Sequence, residues 1–219
     1  MLSAKKIKRK INKKSQLLLV GSLFILLSIS IIGIKHFNLY TTQKDEDNKI
    51  KNFYQGQEQI KEIISNNPEE IAEEKIDELK QDNSPKYDYV AVIKIPKINL
   101  EKGLAEKGSY YNNVNRNIQI IKESDSPDVE KGNVILASHS GSSSVSYFKN
   151  LYKLQNGDLI SIFYNGIEYK YKVVNTYDIE KNGTANIIRN KEKNTLTLIT
   201  CRHNTNKQIV VISELVEKS

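Results

Sequence analysis

The sequence predicts a mostly β domain, a closed or half-closed barrel of about eight strands, preceded by a transmembrane helix and a partly helical stalk. Three observations lead there. From Tyr87 onward, short β-branched runs follow one another with a single helical stretch among them. Asn165-Gly166 stands between two such runs as a two-residue hairpin signal. Ahead of all this, Leu17–Ile34 is an uncharged run of 18 residues, rich in Leu and Ile, behind a basic leader.

As a helix those 18 residues rise about 27 Å, close to the hydrocarbon thickness of a bilayer. A cleaved signal peptide has a shorter apolar region ending in small residues, whereas Gly33-Ile34-Lys35 is a poor cleavage site. An uncleaved anchor is expected, with its basic flank cytoplasmic and the C-terminal bulk outside. The division that follows is a leader at 1–14, an anchor at 15–36, a stalk at 37–86 and a barrel at 87–219.

The net charge of +7 belongs to the leader and anchor. Residues 1–40 hold eight Lys or Arg and no acid, which leaves 25 basic against 26 acidic residues beyond them. The outer part has no basic stripe, so nucleic acid is excluded as a partner. One cysteine among 219 residues makes no internal disulfide, so the barrel must stand on its core. No metal site and no cofactor is expected, and a calcium requirement is left open.

In the stalk, Asn67-Pro68-Glu69-Glu70 is a helix start, with a weak apolar stripe running to Lys80, the alternative being a disordered spacer. In the barrel, strands are expected at Tyr89–Ile95, Asn99–Ala105, Asn117–Ile121, Asn133–His139, Asp158–Tyr164, Ile167–Thr176, Thr195–Cys201 and Gln208–Val216. Phe148, Leu151 and Tyr152 predict a helix over Val145–Leu154, with Asn156-Gly157 as its stop.

The single cysteine, Cys201, ends the strand TLTLITC and opens onto the polar loop RHNTNKQ. A strand end holds a thiol in place with one side open, which suits a nucleophile. A lone cysteine is otherwise a small buried hydrophobe. A thiol nucleophile needs an acid–base partner. His36 lies at the membrane edge. His203 follows the cysteine on a polar loop, and His139 ends the strand NVILASH, so both are candidates. His139 shares with Cys201 the position where a strand gives way to a loop.

The pentapeptide TLITC at 197–201 resembles the TLxTC signature of the sortase family. His139 in ILASHSG is similar to the sortase histidine, roughly 60 residues upstream of the cysteine. VIKIPKINL at 92–100 resembles the first strands of that barrel, and the N-terminal anchor fits as well. The resemblance covers 87–216 and is nearest to the smaller class A, D or E enzymes. It implies that Cys201 attacks the threonine carbonyl of an LPxTG-type sorting signal, and that His139 is the acid–base group. The resulting thioacyl enzyme passes the protein to an amine of a peptidoglycan precursor or a pilin. Partners implied are surface proteins with a C-terminal sorting signal and the membrane lipid, in a Gram-positive envelope. Thr200 is expected to help position substrate or oxyanion, its alternative being a plain β-former facing the core.

The family's arginine on the last strand has no counterpart in NTNKQIVVISEL at 204–215. The matching position is Lys207 or Gln208, depending on a one-residue shift. Lysine keeps charge without the planar fork, and glutamine keeps a neutral donor. Electrostatics favours Lys207 and the shorter register favours Gln208. Arg202 directly follows the cysteine and is expected on the wrong side. The missing arginine keeps two other functions in view: an impaired sortase fold that only binds sorting-signal peptides or envelope proteins, and a thiol peptidase with water as acceptor.

Overall fold

The computed structural model describes residues 13–66, 89–182, 184–202 and 204–219. The stalk helix expected over 67–80 and the alternative histidine, His203, lie outside the described residues. The chain forms two compact units, one ending at Asp45 and one beginning at Glu46.

Helix α1 runs over Lys13–Asn66, 54 residues. Within it lies one stretch long and apolar enough to cross a membrane, with a mean hydropathy of 2.7 and no buried part. Leu17, Leu18, Leu19 and Val20, which point to successive sides of the helix, are all at least half exposed. A helix apolar all round suits lipid rather than a core face.

The second unit is an eight-stranded sheet curled into a nearly closed barrel. The strands are β1 (Ala91–Ile95), β2 (Leu100–Leu104), β3 (Gln119–Ile120) and β4 (Asn133–Ala137), then β5 (Leu159–Tyr164), β6 (Ile167–Glu180), β7 (Thr195–Cys201) and β8 (Lys207–Lys218). Their order across the sheet is β2-β1-β5-β6-β8-β7-β4-β3. Near the two outer strands, the Asn117 amide donates to the Gly103 carbonyl at 2.9 Å. Gly103 packs directly under the Tyr89 ring, where a Cβ would lie 2.1 Å from a ring carbon. The hairpin at Asn165-Gly166 forms as expected, with φ of 48° and 76°, the two positive angles of a type I′ turn.

Leu196 and Leu198 of β7 enter the main core with Ile93, Leu136, Ile162 and Tyr171. Period-2 alternation puts Thr195 and Thr197 on the other face, where solvent is the default. Both are buried instead. Their hydroxyls donate to Asn133 Oδ1 at 3.0 and 2.9 Å. That face is covered by a second apolar patch built on Ile135, Ile199, Val210 and Ile212. β7 is therefore a central strand covered on both sides.

The helix expected over 145–154 is not formed; only a 3-10 turn at Leu151–Lys153 appears. The Phe148 N–H bonds the His139 carbonyl at 3.1 Å, so it is lost to an α-helical ladder. Leu151 N bonds Phe148 O, and Leu154 N bonds Leu151 O. Three-residue spacing of buried Phe148, Leu151 and Leu154 serves such turns as well as it serves a helix.

The end of α1 belongs to the barrel's unit. Phe53 and Ile50 are buried with Tyr89 and Val92. The Tyr54 ring meets Phe163 edge-on at 5.0 Å, and its hydroxyl donates to Glu101 at 2.8 Å. Glu46 accepts from the Tyr89 hydroxyl at 2.7 Å and pairs with Lys102, which is only 6% exposed. The Lys102 ammonium also lies 4.9 Å from the Tyr147 ring centroid. Burial draws the Lys102 ammonium below its ordinary value, and the Glu46 carboxylate opposes this. Between the lowered native value and the ordinary one, the unfolded chain holds the extra proton. Raising the pH through that window therefore stabilises the fold.

A mutant comparison tests the pair. Glu46→Ala strands a buried ammonium and is expected to cost about 3 kcal/mol, whereas Lys102→Met keeps the apolar stem and costs under about 1.5 kcal/mol. Denaturant unfolding of the full chain reads both, and equal losses would show that Lys102 is not a desolvated cation.

Candidate active site

Cys201 is the last residue of β7 and its thiol is free and half-buried. β4 runs parallel to β7, with Ala137 beside Ile199 as the last ladder pair. Two further contacts hold the strand ends together beyond it. Ser138 N donates to Ile199 O at 3.3 Å, and Thr200 Oγ1 donates to Ser138 O at 2.6 Å. His139 follows two residues after Ala137, as Cys201 follows two after Ile199, so the two residues lie at the rim where β4 and β7 end.

On the other side of β7, Cys201 stands opposite Gln208 of β8, and Gln208 stands opposite Ile179 of β6. Ile179, Gln208 and Cys201 thus form one row across three strands at one rim, with His139 just past the end of β4. The row behind it is Tyr177, Val210, Ile199 and Ala137. Ile121, Ala185 and Ile187 pack onto the buried Ile199 and Val210 behind the thiol.

Lys207 is exposed and one residue out of phase with that row. Its carbonyl accepts from Arg202 N at 2.9 Å. Arg202 turns away from the row: Nε and Nη2 both donate to Asp178 Oδ1, at 2.9 and 2.7 Å. Asp178 lies opposite Ile209, whose side chain joins the main core. Thr200 is 4% exposed and its hydroxyl is taken by Ser138 O, so it clasps β7 to the end of β4.

A cavity of about 730 Å³ opens beside the thiol. Thr200, Ile209 and Phe148 line it, and all belong to the face away from the Cys201 row. Ser140, Ser142, Asn150 and Lys149 add polar groups to its wall, and among the described residues no carboxylate lines it. Cys201 therefore lies between a buried apolar patch on one side and a polar-walled cavity on the other. Among the described residues no group of three or more His, Cys, Asp or Glu comes together as a metal site.

Asn115 escaped the sequence reading. Its Oδ1 lies 3.0 Å from His139 Nε2. An amide oxygen there makes Nε2 the donor and, in the neutral ring, leaves Nδ1 to act as base. The loop carrying Asn115 is stiffened by its own asparagines. Asn113 Oδ1 accepts from Asn115 N at 2.9 Å, and the Asn112 amide grips Lys107 O and both backbone groups of Ile120. The signal was present in SYYNNVNRN, because asparagines that bond nearby backbone mark ordered turns. Nothing local said that the loop reaches His139.

A barrel rim where a free, half-buried thiol ends one strand and an imidazole follows the end of the parallel strand beside it holds the groups that thiol-based acyl transfer requires. The Sortase domain family model matches residues 93–216, and the chain belongs to the sortase family. Sortase D of Bacillus subtilis is 30% identical over 110 residues, 50% of this chain and 52% of its own length, so the chain spans about half of that relative. Sortase A of Bacillus anthracis is 24% identical over 207 residues, 94% of this chain and 97% of its own. The solved sortase D5 transpeptidase of Clostridium perfringens is 26% identical with a TM-score of 0.52, covering 68% of this chain and 91% of that one. Sortases as a family are cysteine transpeptidases that act on proteins bearing sorting signals.

Proposed function

We propose that this chain is a membrane-anchored transpeptidase that cleaves an LPxTG-type sorting signal and transfers the protein to an amine of a peptidoglycan precursor or a pilin. The observation that supports it is that Cys201 ends β7 and His139 follows the end of the parallel neighbour β4, in a chain of the sortase family. The organisation proposed with it is a cytoplasmic leader at 1–14, an anchor at 15–36, a stalk at 37–86 and an external catalytic barrel at 87–219. One apolar helix of membrane-spanning length supports the anchor.

In the first half-reaction the Cys201 thiolate adds to the threonine carbonyl carbon, and the carbonyl oxygen takes the negative charge. The C–N bond then breaks, and His139, as imidazolium, gives its proton to the departing amine. A thioester joins the substrate to Sγ. In the second half-reaction the acceptor amine adds to that thioester, His139 takes the amine proton, and the C–S bond breaks. The new amide leaves and the thiolate returns. The polar-walled cavity beside Cys201 suits an incoming amine.

The oxyanion needs a donor fixed about 3 Å away. Gln208 is the proposed donor, supported by its register opposite Cys201 on the same face. Lys207 is out of phase and Arg202 is held by Asp178. Gln208→Ala should slow acylation roughly 10-fold or more, Gln208→Arg should match or exceed the natural chain, and Lys207→Ala should leave the rate within a few-fold. Single-turnover acylation distinguishes them. A larger loss at Lys207 would return the role to that residue.

Intact-mass measurement of the purified full chain with a panel of sorting-signal peptides tests the function. A thioester adduct on Cys201 that an added amine resolves is expected. No adduct with any peptide would favour the impaired binding module, a reading that the neutral Gln208 in place of arginine keeps alive. An adduct resolved only by water would mean a thiol peptidase.

A further inference from the structure

β2 is an end strand of the sheet, and Lys102 on it stands opposite Ile93, a residue of the main core. An inward charge on such a strand guards it against pairing with other chains, and that purpose needs no partner on a distant loop. Lys102 nevertheless has one: its ammonium sits over the Tyr147 ring, 4.9 Å from the centroid. Tyr147 packs against the main core, and burial, then the Glu46 carboxylate, push its hydroxyl above the ordinary range. The same carboxylate, carried by α1, pairs with the Lys102 ammonium. Tyr147 stands on the returning arm of the loop that leaves His139. The next residue, Phe148, is fully buried, and its N–H donates to the His139 carbonyl at 3.1 Å, closing the loop at its neck. Inside the loop, Ser146 N donates to Ser143 O at 3.1 Å and the two hydroxyls lie 2.9 Å apart. His139 is thus held at its ring by Asn115 and at its backbone by the neck.

We infer that Tyr147 is a positioning residue for His139: its ring, seated against the Lys102 ammonium, holds the neck of the loop and so fixes the histidine for proton transfer. This inference rests on the transpeptidase reading, in which His139 moves protons. A cation over an aromatic face is worth most where it is desolvated, and Lys102 is only 6% exposed. A misplacement of about 1 Å at a reacting group costs up to about 100-fold in rate. Tyr147 does not line the cavity beside Cys201. Its loss should therefore appear in kcat, with KM for the peptide little changed.

The variants are made in the full chain and assayed for transfer well below each variant's melting temperature. Tyr147→Leu keeps apolar bulk without the ring, and Lys102→Met keeps the stem without the charge. Each should lower kcat about 10-fold with KM for the peptide within about two-fold. Tyr147→Phe keeps the ring and should stay within about two-fold in both. The double variant Tyr147→Leu with Lys102→Met should be no slower than either single change, because both remove one interaction. Exchange of the Phe148 amide reads the neck directly and should quicken about 10-fold in Tyr147→Leu and Lys102→Met, and not in Tyr147→Phe. Losses that multiply in the double variant would mean two separate packing defects and overturn the inference. So would kcat within about two-fold in both single variants, or a loss in Tyr147→Phe equal to that in Tyr147→Leu. A natural chain that is never acylated removes the transpeptidase reading. Faster Phe148 exchange would then still establish Tyr147 as the holder of the neck, and unchanged exchange would remove that as well.

Discussion

Cys201→Ala should leave the barrel folded and remove thioester formation altogether. The chain has one cysteine, so no second thiol can substitute. The change deletes one sulfur atom at a half-buried strand end, and a small truncation of that kind costs about 1 kcal/mol. The strand end does not depend on it: the β7–β8 ladder and the Thr200–Ser138 bond run alongside. Intact mass after incubation with peptide reads the chemistry, and a thermal melt reads the fold. Acylation that survived in the alanine variant would place the nucleophile elsewhere.

The next largest loss is expected at His139. A general acid–base contributes about 10² or more, so His139→Ala should lower turnover at least 100-fold while His203→Ala stays within a few-fold. The reverse ranking would move the acid–base role to His203. The bond from His139 Nε2 to Asn115 extends the prediction to a residue that does not react. Asn115→Ala frees the ring to adopt the other tautomer and should cost about 10-fold in kcat with KM unchanged. Asn115→Asp keeps an acceptor at that place and should recover most of what alanine loses. Should alanine and aspartate behave alike, the bond orients nothing.

Much of the site was legible because local pattern and position coincide. A β-branched run ending in Thr200-Cys201, and another leading to Ser138-His139, each say where a strand gives way to a loop, although β4 itself stops at Ala137. That both ends fall at one rim is another matter. β4 and β7 are parallel and far apart in sequence, and parallel strands carry no hairpin to set their register. The core sets it: Val134 and Leu136 must enter the barrel beside Leu196 and Leu198, and a one-residue slip would turn them out.

The choice between Lys207 and Gln208 shows the same limit. Two residues adjacent in a strand look to opposite faces, and a shift of one in the preceding loop exchanges them. Composition is blind to that shift; the pairing of Val210 with Ile199 and of Val211 with Leu198 decides it. The expected helix over 145–154 failed for a related reason, since the Phe148 N–H found its partner nine residues back, at His139. Asn115, Tyr147 and the burial of Glu46 against Lys102 are all contacts between segments that no local rule connects. The sequence by itself determined the anchor's apolar length, the strand runs and the two residues able to do thiol chemistry, because each follows from neighbours along the chain. Only the tertiary structure decided which of them share a face and what holds them there, because register and close packing are properties of strands brought together.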